Sequence, residues 1–202
     1  MGRTSDAKER LINTAVGMLR AASYNSVSVD DLCQAAQVRK GSFYHFFPSK
    51  RDLALAAVDA WWNVISTELL EPCFRPDLPP RERIRRFFEA AATAQARTKA
   101  TAGRVLGCTI GNLSMELSAQ DEVMREKVQE AFSRFAGYFQ AAIEDGMACG
   151  DVPPDANAPE LAQALLAYLY GAILLAKTGN DPEMIARLGR HATELLPLPV
   201  HH

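Results

Sequence analysis

Between Ser28 and Lys50 the chain concentrates side chains that can donate hydrogen bonds to phosphate: Arg39, Lys40, Ser42, Tyr44, His45 and Lys50, with Ser28 upstream. Arg and Lys neutralise backbone phosphates, hydroxyls donate to them, and His can also meet a base edge. Gly41 and Ser42 are small, so a nucleic-acid backbone can come close. Charge is distributed in the same sense. Residues 1–52 hold eight Lys/Arg against five Asp/Glu, a surplus of +3, whereas the other 150 hold 14 against 19, a balance of -5. A basic end on an acidic body points to an anionic partner for that end only.

Other chemistries find little support in the residues. No GxSxG, P-loop, GxGxxG, HExxH or paired-carboxylate pattern occurs, which argues against an enzyme. The four cysteines, Cys33, Cys73, Cys108 and Cys149, are far apart. They form no CxxC pair and no Cys/His cluster with zinc spacing, so neither disulfide, metal nor cofactor is expected, and reduced thiols fit a cytoplasmic setting. Met1 to Arg10 lacks the apolar stretch of a signal peptide. The most apolar segment, Leu161 to Ala176, is 16 residues long. A membrane span needs about 20, so none is expected. With 202 residues, 48% of them hydrophobic, the chain can build a sizeable core.

The elements that must carry the phosphate donors are helices. Leu11, Ile12, Ala15, Val16 and Leu19 recur at three- and four-residue steps, which predicts a helix from Asp6 to Ala22 with Asp6 and Glu9 at its start. Ser28 followed by Asp31 matches a capping box, opening a short helix with Leu32, Ala35 and Ala36 inward. After a tight turn at Gln37–Val38, a second short helix runs from Lys40 to Phe46 and stops before Pro48. Ser49 with Asp52 caps a long helix through Leu53, Ala57, Trp61, Ile65 and Leu69. Four prolines between Pro72 and Pro80 make a loop. Further helices are predicted at Arg83–Thr98, Val105–Leu117, Val123–Met147, Pro159–Lys177 and Pro182–Leu196, with a frayed tail from Leu196 to His202. No strand pattern is sustained, so the fold class is all-α. Nothing is assigned to His201 or His202.

A longer helix followed by two short ones across a tight turn makes a helix-turn-helix. Its second short helix would lie in the DNA major groove. The run GSFYHFFPSKRDL closely resembles the DNA-binding signature of the TetR family of bacterial transcriptional regulators. The resemblance implies a three-helix DNA-binding head at residues 1–48, a long linking helix, and a larger helical ligand-binding and dimerisation body at 49–202. It implies a homodimer on a palindromic double-stranded DNA operator, acting as a repressor released by a small-molecule inducer. Family members commonly carry Gly in the turn, where this chain has Gln37. The alternative from the residues alone is a helical protein-interaction module that does not bind DNA.

Two features of the body bear on this reading. Leu161, Leu165, Leu166, Tyr168, Leu169, Ile173 and Leu174 surround one helix, which predicts that a partner subunit covers it. The segment LGCTIGNLSMELS, from Leu106 to Ser118, resembles the sixth helix of a TetR subgroup with a GC…GNL…EL pattern, some members of which respond to reactive electrophiles. That likeness makes Cys108, flanked by Gly107 and Gly111, a sensor candidate, with Lys177 as an amine that would favour its thiolate if it pointed back into the body. The other reading of Cys108 is a small buried residue, and of Lys177 a cation ending its helix favourably. Trp61, Trp62, Phe74, Phe87, Phe88, Phe132, Phe135, Tyr138 and Phe139 are read chiefly as core rather than as the lining of a ligand pocket.

Overall fold

The architecture follows from three helices at the N-terminus and a longer set after them in the chain. A computed structural model describes residues 2–198, and among these every regular element is helical. They fall into two compact units, one holding residues up to Val64 with Cys108–Ala131, the other Ile65–Gly107 with Phe132 onward.

In the first unit, α1 (Gly2–Ala21) buries Leu11, Ala15 and Leu19, one side of the predicted stripe. It begins earlier than predicted, so Asp6 lies inside the helix, where it pairs with Arg10 one turn on instead of capping. Helix α2 (Val29–Ala36) has the reciprocal box between Ser28 and Asp31. Its buried arc is Leu32, Cys33 and Ala36; Ala35, predicted inward, is exposed because the arc is rotated toward Cys33. Gln37 then takes a left-handed backbone, φ 54° and ψ 44°, while the Val38 N–H closes onto the Cys33 carbonyl at 2.9 Å. A non-glycine residue there costs about 1 kcal/mol, which the closed turn and the packing around it must offset. Arg10 Nε donates to the Ala36 carbonyl at 3.1 Å and ties α1 to the end of α2. Helix α3 (Lys40–Phe46) buries Phe43, and Phe47 follows it into the same core.

Helix α4 (Lys50–Ile65) starts at Ser49, whose Oγ accepts from the Asp52 N–H at 3.2 Å. Leu53, Ala57 and Trp61 face inward, as their spacing predicts. The predicted unbroken helix does not continue. Its ladder slips to a π turn at Ser66–Leu70 and resumes for one turn, α5 (Glu71–Cys73). Pro72 explains the slip, since it has no N–H for the Glu68 carbonyl and its ring crowds that group.

A second correction concerns residues 105–108. They are not helical, Gly107 is left-handed at φ 79°, and α7 (Thr109–Leu117) begins only after Cys108, its extended N-cap. Cys108 therefore does not lie between two helical glycines. Helix α8 (Glu122–Cys149) follows.

In the second unit, α6 (Pro80–Ala102), α9 (Ala158–Thr178) and α10 (Glu183–Ala192) pack together, with α10 against both of the others. Gly189 permits the closest approach, because a Cβ there would run into the Phe88 side chain. Phe74, Phe87, Phe135 and Phe139 meet edge-on or tilted at 5.4–6.0 Å between centroids, filling the interior as core. Buried Arg83 clamps the proline-rich loop through the Pro76 and Leu78 carbonyls and pairs with Asp145. The tail is not frayed at its start: Leu196 is buried, and Arg81 donates to the Pro197 carbonyl at 2.8 Å. His201 and His202 lie outside the described residues.

Helix α9 is longer than its apolar stretch suggested, 21 residues with a mean hydropathy of 1.4 over an 18-residue window, enough by length and composition alone to span a membrane. Ala162, Leu165, Leu166, Leu169, Ala172 and Ala176 are buried within the protomer. Leu169 thus belongs to the protomer core and not to a face awaiting a partner. The outward face is Ala164, Ala167, Gly171, Leu174 and Leu175.

Candidate nucleic-acid interface

Helix α3 owes its placement to Phe43 and Phe47, which anchor one side of it in the core of the first unit. With residues about 100° apart around a helix, Gly41 and His45 then lie on the opposite arc, while Lys40 and Tyr44, three residues before Phe43 and Phe47, flank the buried side. All four are exposed, as are Arg39, the N-cap of α3, and Ser28; Ser42 is half-buried. Lys40 Nζ lies 2.8 Å from the Asp30 carboxylate, a solvent-exposed pair that a phosphate can displace at little cost. Tyr44 stands edge-on to Phe43 at 5.1 Å, which fixes its ring while the side chain stays half-exposed. Ser28 is differently engaged: its hydroxyl donates to Asp31 at 2.6 Å and accepts from the Asp31 N–H. It organises α2 and has no spare proton for a phosphate.

Lys50 also departs from the expectation of a plain phosphate ligand. Its ammonium donates to the Tyr24 and Val27 carbonyls, both at 2.9 Å, and sits 4.1 Å from the centroid of the Tyr24 ring. Burial pulls it below the usual lysine range, and Glu116 nearby opposes that. Two of its three donors are spent on the backbone between α1 and α2, which leaves one.

Cys108 is half-buried at the head of α7 in the first unit, near the α1 residue Arg20. Burial lowers the Arg20 pKa, and the negative charge available to Cys108 works against that lowering. Lys177 is in the last turn of α9, in the second unit. Burial raises the Cys33 and Cys73 thiols above their ordinary range, which favours the unreactive form; Cys149 is exposed at the end of α8. Among the described residues no group of three or more His, Cys, Asp or Glu is placed to hold a metal ion.

Two residues that sequence reasoning left without a role stand out. Asn112 Nδ2 donates to the Arg20 carbonyl at 3.1 Å, and the Glu116 carboxylate accepts from the Tyr24 and Asn25 N–H groups and the Ser23 hydroxyl. Their signal was polar character four residues apart on a mainly apolar helix.

Comparison with known proteins bears on the same elements. Residues 11–57 match the family model "Bacterial regulatory proteins, tetR family", and residues 80–192 match "Tetracyclin repressor-like, C-terminal domain". The chain is 31% identical over 189 residues to the transcriptional regulator AcuR of Cereibacter sphaeroides, covering 92% of this chain and 84% of that protein. It superposes on the crystal structure of a regulatory protein TetR from Rhodobacter sphaeroides with a TM-score of 0.83 and 30% identity, over 95% of this chain and 99% of the other. A cysteine mutant of CifR, complexed with 26-bp double-strand operator DNA, shares the fold with a TM-score of 0.81 and 18% identity, over 94% and 96% of the two chains.

Proposed function

Because the chain belongs to the TetR family of bacterial transcriptional regulators, and is therefore a DNA-binding regulator of the repressor type, we propose that it is released from its operator by a small electrophile that alkylates Cys108. Family members bind operator DNA as homodimers. Membership sets aside the interaction-module alternative. In our reading the protein is cytoplasmic and catalyses no reaction, residues 1–48 are the DNA-binding part, and 49–202 serve ligand binding and dimerisation. Arg39, Lys40, Gly41, Ser42, Tyr44 and His45 contact the operator directly; Ser28 and Lys50 hold the frame of the head, Lys50 with one donor to spare for phosphate.

The observation that carries the DNA-binding assignment is the exposure of Lys40, Tyr44 and His45 together on α3. For release, the supporting observation is the position of Cys108, the N-cap of a helix that reaches the α1–α2 connection from within the same unit. A Cys108 thiolate would add to the β-carbon of an α,β-unsaturated carbonyl, forming one C–S bond while the α-carbon takes a proton from solvent. The bulk added at the head of α7 would have to favour the DNA-incompetent arrangement, since a ligand shifts an equilibrium only through differential affinity. Nearby Arg20 would favour the attacking thiolate. Lys177 remains a second candidate for that task.

N-ethylmaleimide is the probe. One equivalent per protomer should release the parent from an operator duplex, and Cys108→Ser should stay bound under the same treatment. If the serine variant releases DNA as readily as the parent, Cys108 is a packing residue and the inducer acts without a covalent bond.

A further inference from the structure

We propose that Glu116, assisted by Asn112, is a positioning residue for DNA binding: it fixes the backbone between α1 and α2 and so sets the helix pair that presents α3. The inference rests on the DNA-binding reading, although neither residue touches DNA.

The connection between α1 and α2 is short and would otherwise leave several backbone groups to water. Helix α1 ends at Ala21, residues 24–26 form a single 3-10 turn, and α2 starts at Val29. The turn has no side-chain cap of its own. Glu116 supplies one from a distant part of the chain. One carboxylate oxygen is 2.8 Å from the Tyr24 nitrogen, and the other is 2.9 Å from the Asn25 nitrogen and 2.5 Å from Ser23 Oγ. One turn earlier on α7, Asn112 takes the Arg20 carbonyl in the last turn of α1. Residues four apart on a helix share a face, so this one face of α7 follows the chain from residue 20 to residue 25.

The opposite side of the connection is held as well. Lys50, at the start of α4, takes the carbonyls of Tyr24 and Val27. N–H groups thus go to a carboxylate and C=O groups to an ammonium, and charge-assisted bonds of this kind are stronger than neutral ones. Burial alone would raise the Glu116 pKa, but the bonds from Ser23, Asn25 and Tyr24, with the Lys50 charge, bring it below the ordinary range. The carboxylate is therefore the resident form at neutral pH. Close by, Arg51 approaches Asp121 at 3.7 Å across α4 and the start of α8.

This arrangement gives α7 a purchase on the reading head. Ordering the α1–α2 connection in advance removes an entropic cost from DNA binding. Cys108 stands eight residues before Glu116 on the same helix, so a shift at the head of α7 reaches the latch without crossing between units.

The sign of the mutational effect separates this role from plain electrostatics. Removing a negative charge from a DNA-binding unit should tighten DNA binding if only the long-range field matters. Loss of the latch should weaken it. The experiment measures operator affinity of the parent homodimer, Glu116→Ala and Glu116→Gln on a duplex selected from random DNA by the parent, together with amide hydrogen exchange at Tyr24 and Asn25. Glu122→Gln is the control, the same change of charge on an exposed carboxylate of the same unit. We expect Glu116→Ala to bind about tenfold more weakly at an unchanged salt slope, because no phosphate contact is lost. Exchange at both amides should speed up about tenfold or more as their acceptors disappear. Glu116→Gln keeps the volume and one acceptor oxygen, so it should fall between, and it decides the matter should alanine disturb folding. Binding by Glu116→Gln as tight as that of the control, or exchange unchanged in both variants, would overturn the proposal. A parent that binds no selected duplex would contradict the DNA-binding reading instead, and the exchange rates would still decide the latch.

Discussion

Gly171→Arg is expected to yield a folded monomer that has lost its hold on operator DNA. Gly171 is exposed on α9, and a Cβ built there meets nothing within 4 Å in the protomer. Arginine is a better helix former than glycine by about 1 kcal/mol, so the protomer should be no less stable than the parent. The surroundings of Gly171 are what make the change disruptive. Ala164 and Ala167 precede it on the same face, and Leu174 and Leu175 follow, 49% and 52% exposed. On α8, which meets α9 through the Phe132–Tyr170 ring pair, Gly137 and Ala141 are likewise exposed, again with open space around the glycine. Small residues on adjacent helices let a second copy pack closely, as in a helix bundle formed by two-fold symmetry. A guanidinium introduced there is desolvated without a partner, which costs several kcal/mol per copy. Separating the two heads also removes their avidity, worth about a hundredfold or more. Light scattering and gel shift on the same sample, with a melting curve as control, check the three parts of the expectation. A variant that remains a dimer would place the interface elsewhere.

The double variant Lys40→Ala/Tyr44→Ala should fold like the parent yet lose most of its DNA affinity. Both side chains are exposed and stand one turn apart on α3, flanking the buried Phe43 and Phe47. In a homodimer the change removes two ammonium groups and two phenols from the DNA surface. It also leaves Asp30, the present partner of Lys40, as an uncompensated negative charge near phosphate. Each lost phosphate contact lowers the magnitude of the salt slope by about 0.9, so a drop of about 2 is expected from the lysines, with affinity at physiological salt reduced by about a hundredfold. Titration of a selected duplex between low and moderate salt measures both. An unchanged slope would mean that α3 does not meet the DNA backbone.

Much of this was legible in the residues, for reasons that can be stated. The helix-turn-helix could be read because its signals are local. Ser28 with Asp31 and Ser49 with Asp52 cap helices within four residues, and Pro48 stops α3 by its own chemistry. Even the left-handed turn at Gln37 follows from the spacing of α2 and α3, although the residue does not favour it. What escaped notice depends on groups distant in the chain. Lys50 looked like a phosphate ligand because nothing in its neighbourhood announces the Tyr24 and Val27 carbonyls, more than twenty residues earlier. Glu116 caps a turn more than ninety residues away, which no local pattern encodes. On α9 the apolar residues were counted correctly, but periodicity alone could not say that Leu169 faces α9's own protomer while Leu174 faces out. The break at Gly107 was missed since a glycine reads equally well as a close helix contact or as a left-handed stop.

The central claim is that two copies of this chain read a two-fold DNA site through α3. Selection from random duplexes, followed by sedimentation of the winning complex, tests it most directly. The account predicts enrichment of an inverted repeat whose half-site centres lie about 34–36 Å, or one DNA turn, apart, bound by two protomers per repeat. Recovery of no sequence preference, or of a single half-site held by one protomer, would contradict it.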